Sequence, residues 1–382
     1  MHLLTLRGSN AGTVDKYILW AILVLCAMGI VAVYSAIGYL AQTKGGGNTE
    51  ALLFKHLFRV GLALTVMGFF SIVNYRVLAK YSRYLLVGSI LLLLAVQIMG
   101  VVSGGAARWL NLAGVMFQPS DLAKVSLVLY VATLLSQKQV YITSFARSFA
   151  PIFLWIMVTI AAIGISDLST SAVVLSAVLL MCFVARVSMV QLIMVGLLGA
   201  VLGYGMLATS PQRAARLESY VGVKLFPHTD AASVFSSSDE QFQAEQARMA
   251  IAQGGLLGVG PGKSTQRDWL PAPYNDFIFA IITEEYGLVG AFTLLFLFVA
   301  ILYRGLLKVA RSAPDPLGLF LAVGIVVMLT MYGFVHAGVS ANLLPVTGLP
   351  LPFVSYGGTS LLANGIMAGI LLNISRQVDP IP

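Results

Sequence analysis

The chain has 382 residues, of which 58% are hydrophobic and only 10% charged, with a mean hydropathy of +0.89. No soluble core hides that much apolar surface from water, so the composition excludes an ordinary soluble domain and points to a bilayer. The formal net charge of +8 does not indicate nucleic acid, because the basic residues sit in short loops where membrane topology explains them.

Residues 1–16 are polar and carry Arg7 and Lys16, and an apolar run of full spanning length follows. This pattern predicts a first transmembrane helix that is kept, not a cleaved signal. At about 20 apolar residues per span, ten helices fit the chain: 17–40, 56–74, 83–102, 119–136, 150–166, 168–185, 188–209, 276–303, 316–341 and 355–374. The expected fold is an all-α polytopic membrane protein, a single domain over residues 1–382. Cys26 and Cys182 fall inside apolar runs at different depths, so neither a disulfide nor a Cys/His metal site is expected.

Lys and Arg set the orientation. With the N-terminus inside, the inner segments hold Arg7, Lys16, Arg76, Lys80, Arg83, Lys138, Arg147, Arg186, Arg304, Lys308, Arg311 and Arg376, whereas the short outer loops hold Lys44, Lys55, Arg59 and Arg108. Both termini are therefore expected in the cytoplasm. The long polar insert, residues 210–275 between the seventh and eighth spans, is expected outside, with its charges nearly balanced. Within it, residues 238–253 have helical character, with Ser238 to cap, Asp239 and Glu240 in the first turn, and Gly254 to stop. Phe242, Ala250 and Ile251 are placed to lay an apolar face on the membrane. Residues 254–263 are glycine-rich but follow no strand and lack Walker spacing, so a flexible turn is as good a reading as a ligand loop.

Charge inside a bilayer is costly and marks functional candidates. The topology gathers six candidates at the outer leaflet: Arg108, Trp109, Asp121, Lys124, Asp167 and Asp276. Asp121 and Lys124 are spaced to pair on one helix, behind Pro119. Such a pair also serves simply to position the helix. Asp167 reads equally as a cap, and Arg108 with Trp109 as an interfacial anchor. Asp276 follows a stiff, proline-rich approach and leads into Phe277, Ile278 and Phe279. An apolar wall raises a carboxylate's proton affinity, as suits a general base, while a helix N-terminus lowers it. On an ideal helix Glu284 lies ~80° round from Asp276 and Glu285 about opposite, which favours Glu284 for the same cavity. The histidines His2, His56, His228 and His336 are dispersed, and His336 is expected to be a packed, hydrogen-bonded residue.

These segments resemble a known family. Residues 117–124, FQPSDLAK, resemble the FQPSE-x-AK motif of the SEDS proteins (shape, elongation, division and sporulation; RodA, FtsW and SpoVE). Arg108-Trp109 resembles their outer-loop RW element, and Asp167-Leu168-Ser169-Thr170 is similar to DLGT. Leu270-Pro271 through Asp276-Phe277-Ile278-Phe279-Ala280 resembles LP-x-x-x-TDFIFA. The stretch from Leu344 through Ser355 to Ser360 resembles LLPVTGLPLPFxSYGGSS. The departures are Ser169 in place of glycine, Asn275 in place of threonine, and Trp269 where histidine is frequent; none removes a carboxylate. The similarity runs from the third span to the C-terminus.

The resemblance implies a peptidoglycan glycosyltransferase that polymerises lipid II, an undecaprenyl-pyrophosphate-linked disaccharide-pentapeptide, on the outer face of the cytoplasmic membrane. It maps the family's essential aspartate onto Asp276. It also implies a class B penicillin-binding protein as partner, beside membrane lipid. Arg108, Trp109, Asp121, Lys124, Asp167, Lys263, Glu284 and Ser355 are the substrate-binding candidates. Arg108, Lys124, Lys263, Arg213 and Arg216 lie on the right face to meet pyrophosphate charge. A divalent cation, Mg or Mn, near Asp121 or Asp167 is compatible with the same role, though no dedicated cage is legible. The rival reading is a flippase or transporter of the lipid-linked precursor, against which the charges cluster at one face. Elongation and division share these motifs.

Overall fold

The computed structural model describes residues 12–44, 48–103, 106–112, 115–142, 144, 149–226, 231–270 and 272–377. Arg7, Arg147, His2, His228 and Pro271 lie outside the described residues. Twelve α-helices are present in this set: α1 (Lys16–Lys44), α2 (Thr49–Ile72), α3 (Tyr75–Met99), α4 (Pro119–Lys138), α5 (Ala150–Ser166), α6 (Leu168–Val184), α7 (Met189–Ala208), α8 (Pro211–Val221), α9 (Ala231–Gly254), α10 (Ile278–Arg304), α11 (Pro316–Ser340) and α12 (Gly358–Arg376). Eight of them, α1–α4, α7 and α10–α12, are long and apolar enough to cross a membrane. The apolar α5 and α6 have 17 residues each and meet at Asp167. At 1.5 Å per residue each reaches about 25 Å, a little short of a full hydrocarbon core.

Polar residues set the helix starts. Asn48 caps α2 through Ala51 N at 3.0 Å, Asp167 caps α6 through Thr170 N, and Asp315 caps α11 through Gly318 N. Proline at the head of α4 and α11 needs no hydrogen-bond partner there. Helices α4, α11 and α12 form the buried centre, while α2, α3 and α7 turn most of their apolar residues outward, as a lipid environment allows.

The two ends of the described chain meet on one face. Gly12 N donates to Arg376 O at 3.1 Å, and Asp15 binds Ser375 Oγ and pairs with Arg304 at 2.6 Å. Arg76 pairs with Asp315 on the same face at 2.6 Å. The opposite face carries residues 101–117, α8, α9 and the loop after α11.

Four expectations change. Three segments form an antiparallel sheet, β1 (Val101–Ser103), β2 (Ala106–Leu112) and β3 (Val115–Phe117), where the end of a helix and a loop were expected. The runs are short and rich in Val, Trp, Leu and Phe, which suits pleated strands. Helix α2 starts seven residues before the predicted 56, so Lys55 and Arg59 share one helix. Helix α9 starts at Ala231, so Ser238 lies within it and does not cap it. Its Ala247 and Ala250 pack on Leu270, Phe277, Ala280, Ile281 and Val339, not on the membrane.

The glycine-rich stretch has a structural part, beyond a turn, that its sequence did not show. It plugs a break in α10. Gly287 sits at φ 64°, ψ −165°, a conformation glycine tolerates and other residues do not. There Val259 N and Gly260 N donate to Glu284 O and Glu285 O, and Leu288 N donates to Gly255 O. The loop thus satisfies backbone groups that the broken helix leaves open.

Helix α2 runs along α12 at small residues. A Cβ added at Gly365 would lie 2.6 Å from Ala63 O, and one at Gly369 would lie 2.5 Å from Met67 O. This four-residue glycine spacing lets two membrane helices touch backbone to backbone. Gly369→Val is expected to lower stability by about 1–3 kcal/mol through overpacking. Gly68→Val, whose added Cβ meets nothing within 4 Å, should leave the unfolding midpoint in detergent unchanged or slightly raised.

Candidate active site

Asp276 sits in a turn just before α10, not in it. Asn275 N and Asp276 N both donate to Ala272 O at 3.1 Å, and the cap position of α10 belongs to Phe277. The loop after α11 holds this turn in place. Ser355 Oγ donates to Asn275 O at 2.7 Å and accepts from Leu351 N at 2.9 Å, while Tyr356 N donates to Tyr274 O at 3.0 Å. From below, His336 joins the same parts. Its Nδ1 donates to Leu349 O at 2.7 Å, which leaves Nε2 to accept from Phe279 N at 3.5 Å. His336 is thus the packed, bonded residue expected of it.

The Asp276 carboxyl takes one hydrogen bond, from Asn275 Nδ2 to Oδ1 at 2.7 Å. Gly348, at φ 69°, lies beneath it; a Cβ there would come within 3.7 Å of Oδ2. The Asp276 pKa is raised to about 6: desolvation drives it up, with Asp167 adding to the rise and Arg108, the Asn275 hydrogen bond and Arg216 opposing it. The conflict between apolar wall and helix end is decided by position. Asp276 precedes the cap residue and makes no cap hydrogen bond, so desolvation prevails.

Asp276 faces a cavity of about 850 Å³ that Asp121, Asp167, Arg108 and Trp109 also line. Arg108 Nε donates to Ser166 O at 3.1 Å, which holds β2 against the end of α5. Asp167 spends one oxygen on Thr170 N at 3.1 Å. Asp121 is buried and saturated: Oδ1 takes Lys124 Nζ and Oδ2 takes Thr359 Oγ1, both at 2.8 Å. Lys124 lies under the cavity floor, 1% exposed, with Nζ 4.7 Å from the Tyr332 ring centroid. It meets the cavity only through Asp121.

Three other candidates stand elsewhere. Lys263 is exposed and does not line the cavity. Ser355 is a buried strut for Asn275 rather than a lining residue. Glu284 lies outside the cavity too. It accepts from Ser264 Oγ, Thr265 N at 2.9 Å and Gln266 N at 3.3 Å, anchoring residues 264–266. The ideal-helix angle between Asp276 and Glu284 fails because α10 begins only at Ile278, so Asp276 precedes the helix from which the angle was drawn. Glu285 accepts from Ser35 Oγ on α1.

The cavity also takes in Lys55, Arg59, Tyr274 and Tyr356, which sequence reasoning passed over. Arg59 stacks on the Tyr356 ring at 4.7 Å. The available signal was two cations four residues apart, Lys55 and Arg59, in the first turns of one helix. Among the described residues no three His, Cys, Asp or Glu side chains are grouped to hold a metal. Asp121 carries one hydrogen bond on each oxygen and Asp167 one in all, and no step below runs through a metal.

The family model for FtsW, RodA and SpoVE, described as "Cell cycle protein", matches residues 16–379. The chain belongs to this family. It is 36% identical over 366 residues to stage V sporulation protein E of Bacillus subtilis, covering 93% of this chain and 94% of that one. It is 33% identical over 372 residues to "Probable peptidoglycan glycosyltransferase FtsW" of Geobacter metallireducens, covering 96% of each. Among solved structures it matches a chain of a peptidoglycan synthase complex, described for its coordination of polymerization and crosslinking. The TM-score is 0.73 at 25% identity, over 95% of this chain and 98% of that one.

Removing one partner of a buried ion pair strands the other charge. Lys124→Met is therefore expected to cost about 3–5 kcal/mol in unfolding, read in detergent. Pairing it with Asp121→Asn should recover most of that loss.

Proposed function

We propose that this SEDS protein is a peptidoglycan glycosyltransferase that polymerises lipid II at the outer face of the cytoplasmic membrane, with Asp276 as its general base. The observation that carries the assignment is a carboxylate of raised proton affinity, held by two loops at the wall of a cavity whose other charges are mostly cations or already paired. The names of the FtsW relatives and the peptidoglycan synthase complex support the activity.

The reaction needs few parts. The acceptor's 4-hydroxyl oxygen attacks C1 of the lipid-linked donor, and a new C1–O bond forms. The C1–O bond to pyrophosphate breaks, and its electron pair leaves with the polyprenyl pyrophosphate. Asp276 takes the hydroxyl proton, and guanidinium groups meet the charge on the leaving group. A single displacement inverts an α-linked donor to a β-linked product, and one base with no covalent intermediate suffices, as in inverting glycosidases. The donor brings its own leaving group, so no nucleotide site is required.

The meeting of the chain ends on one face supports an even number of crossings, and the Lys/Arg bias places that face in the cytoplasm. The complex matched above supports a crosslinking partner, which we take to be a class B penicillin-binding protein.

The test is lipid II polymerisation by the purified protein with its transpeptidase. Wild type is expected to make glycan strands, and a folded Asp276→Asn to make none. Equal polymer from both would remove Asp276 from the chemistry. The pH dependence carries a sign. A base with a pKa of about 6 is protonated below it, so kcat/KM should fall about tenfold per unit below pH 6 and level off above.

A further inference from the structure

Three further cavities join end to end on the other side of Arg108. The first, about 820 Å³, lies between α5, α6 and α7 and is walled by residues such as Leu175, Leu179, Gly196 and Gly203. It shares Leu168, Ala172, Leu207 and Leu217 with a second cavity of about 390 Å³. That second cavity brings together Arg108, Arg213 and Arg216. Arg216 also lines a third cavity, about 260 Å³, with Tyr220, Gln241, Glu245, Arg248 and Asn342. Arg108 lines both the second cavity and the one that holds Asp276.

We infer that this row of cavities seats the donor, the polyprenyl-pyrophosphate-linked growing glycan, while the cavity at Asp276 seats the acceptor. The inference rests on the polymerase reading and divides its two substrates between two sites.

The chemistry changes along the row in the order such a molecule requires. An isoprenoid tail is apolar and fits the groove between α6 and α7. A pyrophosphate needs several cations, and three guanidiniums meet where that groove ends. A growing saccharide is polar and must leave toward water, and the third cavity is lined by amide, phenol and charged side chains on α8 and α9.

The arginines are built in rather than incidental. Arg213 donates to Gly164 O at 2.9 Å and Ile165 O at 2.5 Å, and Arg108 donates to the next carbonyl, Ser166 O. The carbonyl end of α5 thus fixes both guanidiniums. Each has five N–H donors, more than these bonds use. Arg108 and Arg216 both disfavour the Arg213 charge, and Asp167 is the acidic neighbour that offsets them. An anion bound there would relieve that repulsion.

The division between sites follows from where charge develops. Negative charge grows on the donor's pyrophosphate as its bond to C1 breaks, and preorganised cations act on that group. The proton is lost from the acceptor hydroxyl, and the base stands in the other cavity. Arg108 and Arg216 both reach Asp276 electrostatically, so the two sites are adjacent at the reacting atoms.

The test uses two lipid-linked disaccharides, each able to play one role. One lacks the 4-hydroxyl and only donates. The other has a methylene in place of the anomeric oxygen and only accepts. Tetrasaccharide formation is followed while each is varied in turn. Arg216→Gln is expected to raise KM for the donor-only lipid about tenfold or more, the scale of a lost charged hydrogen bond, with KM for the acceptor-only lipid unchanged. Gly196→Trp, which fills the first cavity and does not line the one that holds the arginines, should do the same, so a folding defect in one variant does not decide the matter. A rise confined to the acceptor, an equal rise for both, or no rise in either overturns the assignment. No tetrasaccharide from wild type would instead remove the polymerase reading, and the assignment with it.

Discussion

The Asp121–Lys124 pair is the constraint on which the half of the bundle around the cavity is arranged. Two charges at 2.8 Å in a site almost closed to solvent persist only if every remaining polar bond is met. Thr359 meets one from α12, and the Tyr332 ring on α11 faces the ammonium. One pair thereby fixes three central helices at a single depth. That depth is the floor of the cavity, and the other charged residues stand on its walls. Asp121 is bound on both oxygens and serves as structure, while Asp276 is the cavity carboxylate whose proton affinity burial raises.

A second constraint holds Asp276 itself. The turn that carries it is tied by Ser355 and Tyr356 from above and by His336 from below, through Leu349. Of these, Tyr356 also lines the cavity, whereas Ser355 and His336 do not. Together they hold one carboxyl against a glycine, ahead of the helix cap and partly desolvated. In this way a proline-rich approach, a buried histidine and a glycine with positive φ become features of a single site. The break in α10 is held by the same means, with backbone from the glycine-rich loop in place of the next helical turn.

Much of this was legible from residue patterns. Apolar runs gave the all-α polytopic fold, and the grouping of Arg108, Trp109, Asp121, Asp167 and Asp276 about one cavity followed from counting crossings. The misreadings have physical causes. Glu284 was placed by ideal-helix geometry, whereas the helix begins after Asp276. Ala250 was given to the membrane because its partners Leu270 and Val339 are distant in sequence. Lys55 and Arg59 were overlooked because α2 begins beyond its apolar run, capped by Asn48. The small sheet at residues 101–117 was overlooked because its strands are too short for periodicity to show.

The family assignment and the geometry meet at one property, the proton affinity of Asp276. It is measured directly by following the carboxyl stretch in infrared difference spectra of wild type against Asp276→Asn across a pH series, in the membrane-embedded protein. The account predicts a midpoint near 6 that coincides with the break in the pH–rate profile. A midpoint near the ordinary carboxylate value of about 4 would mean that the cavity does not desolvate the group, and would contradict its role as a base tuned by burial.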